Sequence, residues 1–245
     1  MSKIVLVTGG NRGLGFSTAK ALARSGAVVI IGARAEAAAR KAVDTLEEEG
    51  LTVDWVELDV TSPPSVRAAA EIIRERYCRL DALVNNAGIL PESTDIVEHA
   101  FADTSIFRQT FETNTFGPVT VTEIFLPLLH KSVAGRIVNV SSTMGSLTDQ
   151  NNPLSPYYSM LLPAYRSSKA ALNSISVELA KSLKSTPIKV TSVCPGFVQT
   201  DLTPISRQQA PLTADEAAQI VVTAATLPAD AESGTFIDAN GPVAW

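Results

Sequence analysis

Three observations predict an α/β protein built on one doubly wound parallel sheet of about seven strands, with helices on both faces. Short β-branched runs alternate with longer amphipathic stretches along all 245 residues. The runs are mostly apolar, as in strands covered on both sides. No linker, repeat or low-complexity tract divides the chain, so residues 1–245 read as a single domain.

Taken in order, Ile4–Val7 is the first strand, followed by a helix near 14–25 that Gly26 stops. Val28–Ile31 is the second strand, and its helix, near 36–49, ends at Gly50. Val53–Leu58 is the third strand. Ser62 then caps a helix over 63–77, with Pro63 at the first helical position. Ala82–Val84 precedes a long helix over 104–130, and Ile137–Val140 is the fifth strand. A helix over 165–184, the strand Val190–Val193, a helix over 213–226 and the strand Phe236–Ile237 complete the series. Thr213 with Glu216 forms a capping box for the last helix. Segments 143–164 and 196–212 break the alternation. Both follow the carboxyl end of a strand, where open α/β sheets bind their ligands.

Composition narrows the function. Twenty basic against 25 acidic residues leave a net charge of −5, which argues against a nucleic-acid partner. Two histidines, His99 and His130, are too few for a His-rich metal site, and no metal is expected. They also disfavour a Ser-His hydrolase. Cys78 and Cys194 form no CxxC and imply no disulfide framework, which suits a reducing cytoplasm. No 18-residue apolar run is present, so no membrane span is expected, and Ile4–Val7 is too short for a signal-peptide core.

The first strand runs into Thr8-Gly9-Gly10-Asn11-Arg12-Gly13-Leu14-Gly15. A helix opening straight after glycine-rich backbone offers free N–H groups and a positive dipole end to a phosphate. Gly9 permits the tight turn, Gly13 the approach of a pyrophosphate, and Gly15 the packing of helix on strand. The second strand ends in Gly32-Ala33-Arg34. An acid there would bind ribose hydroxyls and repel a 2′-phosphate; Ala33 stands in its place, and Arg12 and Arg34 can neutralise that phosphate. NADPH is therefore expected over NADH.

Tyr165 and Lys169 stand four positions apart, on one face of a helix. A tyrosine hydroxyl titrates near 10, and a nearby ammonium lowers that value, so the pair is a tunable proton donor. The fifth strand ends in Ser141-Ser142, two hydroxyls at its carboxyl end, of which Ser141 better fits a turn-forming role. Pro118 follows Asn114 by four, so the Asn114 carbonyl loses its regular helical partner at a local kink. Asn85 is read equally as a tie between strand ends or as a ligand residue.

These segments, with Leu58-Asp59-Val60, Asn85-Asn86-Ala87-Gly88, Asn114-Thr115-Phe116-Gly117 and Cys194-Pro195-Gly196-Phe197-Val198-Gln199-Thr200, together resemble the short-chain dehydrogenase/reductase family. The likeness runs from Val7 to about Ile237 and is nearest to its single-domain carbonyl reductases. It implies a Rossmann-type domain that binds NADPH/NADP+ and reversibly reduces a ketone or aldehyde. In that resemblance Gly9, Asn11, Arg12, Gly13, Leu14, Gly15 and Arg34 bind the phosphates, and Asp59 and Val60 meet the adenine. Asn86, Ala87 and Gly88 line the cleft. Pro195, Gly196, Val198 and Thr200 meet the nicotinamide end. Tyr165 is the acid/base and Ser142 steadies the substrate oxygen. Lys169 lowers the Tyr165 pKa and holds the nicotinamide ribose, and Asn114 holds a relay water.

Two departures stand out: Asp238-Ala239-Asn240-Gly241 replaces the family's Asp-Gly-Gly, and 165 − 142 = 23 positions separate the serine from the tyrosine. Two other functions are compatible with the same scaffold, an NADP(H)-sensing module without turnover and C=C reduction. Apolar residues in 143–164 and 196–212 suit a hydrophobic carbonyl substrate, or else pack those loops onto the core or a subunit interface. Both a monomer and a homo-oligomer remain open.

Overall fold

The computed structural model describes residues 2–245. Its strands are β1 (Ile4–Thr8), β2 (Val28–Ala33), β3 (Val53–Glu57), β4 (Ala82–Asn85), β5 (Arg136–Val140), β6 (Lys189–Val193), β7 (Thr235–Asp238) and β8 (Gly241–Pro242). Its helices are α1 (Gly13–Arg24), α2 (Glu36–Glu47), α3 (Pro63–Tyr77), α4 (Thr104–Phe111), α5 (Gly117–Leu129), α6 (Leu147–Gln150), α7 (Pro163–Ser182), α8 (Pro204–Gln209) and α9 (Ala214–Ala225). The sheet order is β3-β2-β1-β4-β5-β6-β7-β8, with every pair parallel except β7 and β8. The eighth strand, beyond the seven expected, is a two-residue antiparallel return after Asn240. None of the helices in the described residues is long and apolar enough to cross a membrane.

Strand periodicity explains the three layers. Val5 and Val7 face one way and pack with Leu22, Leu46 and Val221 from α1, α2 and α9. Ile4 and Leu6 face the other way and pack with Val66, Phe125 and Leu183 in a second cluster beneath α3, α5 and the end of α7. All five β1 residues are buried, which is why the strand reads as a continuous apolar run. Phe125 is completely buried, and its truncation to alanine would cost about 3–5 kcal/mol.

Local chemistry sets the element ends. The Ser62 side chain accepts from the Ser65 N–H, and the Thr213–Glu216 capping box is complete. Gly26 and Gly50 adopt positive φ after α1 and α2. The long helix expected over 104–130 is instead two helices joined by a π turn at Glu112–Phe116, in which the Gly117 N–H reaches Glu112 O. Pro118 has no N–H to offer the Asn114 carbonyl, and the wider turn absorbs that missing bond. The order in which strands are added reverses between β1 and β4, which run parallel, so a crevice opens at their carboxyl ends.

Candidate active site

A cleft of about 770 Å³ occupies that crevice. It is lined by Gly9, Asn11, Arg12, Gly13, Leu14, Gly15, Arg34, Asp59 and Val60. Asn86, Ala87, Gly88, Ser142, Tyr165 and Lys169 line it too, as do Pro195, Gly196, Val198 and Thr200. Nineteen of the expected residues thus line the same cleft. Asn114 lies just behind it, fully buried.

The glycine turn is built for close approach. A Cβ on Gly15 would stand 2.4 Å from Gly9 O and 2.5 Å from Asn86 Nδ2, so only glycine lets α1 start here. Arg12 is the N-cap of α1 and its side chain caps no N–H. The first-turn donors and the positive helix end therefore face the cleft, as a pyrophosphate requires. Thr8 ties this turn to β4: its hydroxyl accepts from the N–H groups of Asn86 and Ala87, both at 3.0 Å. Asn86 Nδ2 returns a bond to Thr8 O at 2.8 Å. Asp59 lines the cleft while its Oδ1 also accepts from Thr61 N and Oγ1, so the helix-entry role and the cleft position coexist. Arg34 is exposed at the rim, and Arg12 lies 3.8 Å from Asp201.

Asn85 proves to be a tie. Its amide donates to Asn139 Oδ1 at 2.8 Å and to Thr122 Oγ1 at 3.1 Å, joining β4 to β5 and α5. Asn139 continues to Ser176 on α7 and Ser176 Oγ accepts from Ser192 on β6. The serine pair departs from expectation. Ser142, not Ser141, forms the local turn, accepting from Met144 N at 3.2 Å. Ser141 Oγ is buried with no hydrogen-bond partner.

Tyr165 and Lys169 lie on the first turns of α7, both buried. Lys169 Nζ donates to Val140 O at 2.7 Å and sits 5.7 Å from the centre of the Tyr165 ring. Gly145 allows this packing, since a Cβ there would meet Lys169 backbone and Cβ at 2.7 Å. Burial lowers the Lys169 ammonium to about 8, opposed by charge on Cys194. The Tyr165 hydroxyl is raised, first by burial and then by Cys194, with a hydrogen bond from Ser142 acting the other way. The expected lowering of Tyr165 is thus overturned for the protein by itself. The reason is that Lys169 spends its charge on the Val140 carbonyl and lies over the ring, while desolvation penalises the phenolate.

The Asn114 side chain clamps the strand-end loop from behind the cleft. Its Oδ1 accepts from Ile89 N at 2.8 Å and its Nδ2 donates to Ile89 O at 2.9 Å. Sequence reasoning missed the wall this creates. Ile89, Leu90 and Ser93 line the cleft together with Met144, Tyr157, Met160 and Leu162 of segment 143–164, and Phe197, Leu202 and Ile205 of 196–212. The only local signal in 89–94 was Pro91, at the start of the 3₁₀ turn Pro91–Thr94.

A doubly wound sheet with a glycine-rich helix start and a buried Tyr–Lys pair at the same crevice defines a nucleotide-binding oxidoreductase-type domain. The family model for short chain dehydrogenases matches residues 3–211, and the chain belongs to that family. A short-chain dehydrogenase of Penicillium roqueforti is 40% identical, over 91% of this chain and 88% of that protein. Salutaridine reductase of Papaver bracteatum is 32% identical, over 97% and 94% respectively. An NADPH-bound carbonyl reductase from chicken fatty liver superposes with a TM-score of 0.85 at 28% identity, over 100% of this chain and 99% of that one.

Proposed function

We propose that the chain is an NADPH-dependent reductase that converts a ketone or aldehyde to an alcohol, reversibly, with Tyr165 as the acid/base. The observation that carries the reading is the convergence of Ser142, Tyr165 and Lys169 on the cleft that the glycine turn opens. The nicotinamide, when bound, supplies the hydride. The open end of α1 and the turn around Gly13 hold the pyrophosphate. Arg12 and Arg34 take the 2′-phosphate, with no acid at Ala33 to repel it. The cofactor bound to the chicken-liver enzyme supports the same choice.

Tyr165 donates its proton to the developing alkoxide. Burial keeps that proton in place at neutral pH, so the group stands ready as an acid. Ser142 steadies the same oxygen, and that hydrogen bond strengthens as charge grows. Lys169 keeps an ammonium beside the phenol below about pH 8, which favours the phenolate once the proton has gone. The apolar side chains of Ile89, Leu90, Met144, Met160, Leu162 and Phe197 along the cleft suit a hydrophobic carbonyl compound.

The test is NADPH oxidation with a panel running from bulky aromatic ketones to small polar aldehydes, set beside NADH. Turnover favouring NADPH and the bulky apolar ketones is expected. Tight NADPH binding without turnover on any carbonyl would replace this reading with a sensing module. Saturation of enones without alcohol formation would replace it with C=C reduction.

A further inference from the structure

We propose that Glu92 is a positioning residue for Tyr165, acting as a remote cap on the helix that carries it. This rests on the acid/base reading of Tyr165 above. Helix α7 begins at Pro163, and Leu162 at its N-cap offers no side-chain acceptor. Two free N–H groups of its first turn would therefore lack partners beside an apolar wall. Glu92 supplies both acceptors: Oε1 takes the Ala164 N–H at 2.9 Å and Oε2 the Tyr165 N–H at 2.8 Å. The second of these bonds is made to the backbone of the reacting residue itself.

The carboxylate reaches across 72 and 73 positions of sequence to do so. It also carries charge suited to a helix N-terminus. The segment it sits on is held at its other side by Asn114, through both backbone groups of Ile89. Ile89, Leu90 and Ser93, between or beside those anchors, face the cleft. Glu92 thus joins the substrate wall to the start of α7. A substrate that presses on that wall bears on the backbone of Tyr165.

Removing the cap frees the first turn of α7 to shift, and a displacement of an ångström costs about a hundredfold in rate when reacting groups must align. Glu92→Ala is expected to lower kcat by about 10–100-fold. The affinity for NADPH, measured by fluorescence titration, stays within about twofold because the phosphate turn is untouched. The solvent deuterium isotope effect on kcat rises, because proton donation becomes slower relative to other steps. Glu92→Gln keeps one acceptor oxygen but sets an amide donor against the second N–H, and is expected to fall between the two, with kcat about 3–10-fold below the parent.

A kcat for Glu92→Ala within about threefold of the parent, with an unchanged isotope effect, overturns the proposal. So does a loss shared equally by kcat and NADPH affinity, which is what general loosening of the fold would give. If Glu92→Ala does not fold, Glu92→Gln decides alone. A drop in kcat with a raised isotope effect and unchanged NADPH affinity supports the proposal, and parent-like kinetics sink it. Tyr165→Phe separates the two layers of inference. Retained turnover there removes the acid/base reading, whereas an inactive Tyr165→Phe beside a fully active Glu92→Ala removes only the role of Glu92.

Discussion

The two ends of the same sheet treat their polar groups in opposite ways. At the amino end, Asp81 accepts from Ile4 N at 2.8 Å, Ser132 Oγ at 2.6 Å and Arg79 Nε at 3.0 Å. Arg136, also buried there, donates to the carbonyls of Gly135, Pro187, Leu227 and Pro228. At the carboxyl end, Lys169 has one backbone acceptor, Ser141 Oγ has no partner, and the start of α1 is left uncapped. Buried polar groups in folded proteins are normally satisfied internally, so groups left available in a cleft are the ones free to meet a ligand. The amino end uses its charges to close the structure. The carboxyl end leaves donors, a phenol and an ammonium for an outside partner.

The largest expected effect breaks the carboxyl end alone. Tyr165→Phe should lower turnover by about 10²–10⁴-fold while NADPH binding and the melting temperature stay near the parent values. A calorimetric titration and a thermal melt beside the kinetics check this. Next comes the opposite end. Arg136→Met leaves the carbonyls of Leu227 and Pro228 without their donor and should cost about 2–4 kcal/mol of stability in a urea titration. Specific activity of the folded protein should be unchanged; a large loss of turnover per folded molecule would show that the two ends are not independent.

A smaller effect is expected at the cofactor rim. Arg34→Asp should shift the ratio of kcat/KM for NADPH over NADH by about tenfold or more toward NADH, because a carboxylate repels the 2′-phosphate and accepts from ribose hydroxyls. The smallest is a pH effect. Burial depresses Lys169, so its charge is present below about pH 8 and lost above it. Carbonyl reduction should therefore hold up to about pH 8 and decline beyond, with Tyr165 still protonated across that range. A kcat that rises steadily through pH 9 would remove Lys169 from the proton step.

Much of the site was legible because its signals are local. Tyr165 and Lys169 share one helix, so spacing alone puts them on one face. The glycine turn is eight consecutive residues, and its requirement for a missing Cβ at Gly15 is a property of backbone approach. Pro118 announced a defect in the fourth helix, although its form, a π turn rather than a plain kink, depends on how α4 and α5 pack. The serines were less legible. Either Ser141 or Ser142 could form the turn from sequence, and the strand register with the following 3₁₀ turn assigns it to Ser142.

The sequence by itself determined the alternating elements, the parallel sheet, the glycine turn and the pairing of Tyr165 with Lys169 on one helix, because each is written in neighbours a few positions apart. Tertiary structure decided the rest. It brought Ser142 to Tyr165 and set Glu92 against the start of α7. It also turned Asn114 onto Ile89 and added 89–94 as a cleft wall. It reversed the expected direction of the Tyr165 pKa. Burial and long-range hydrogen bonds depend on which elements become neighbours, and that follows from packing the whole chain.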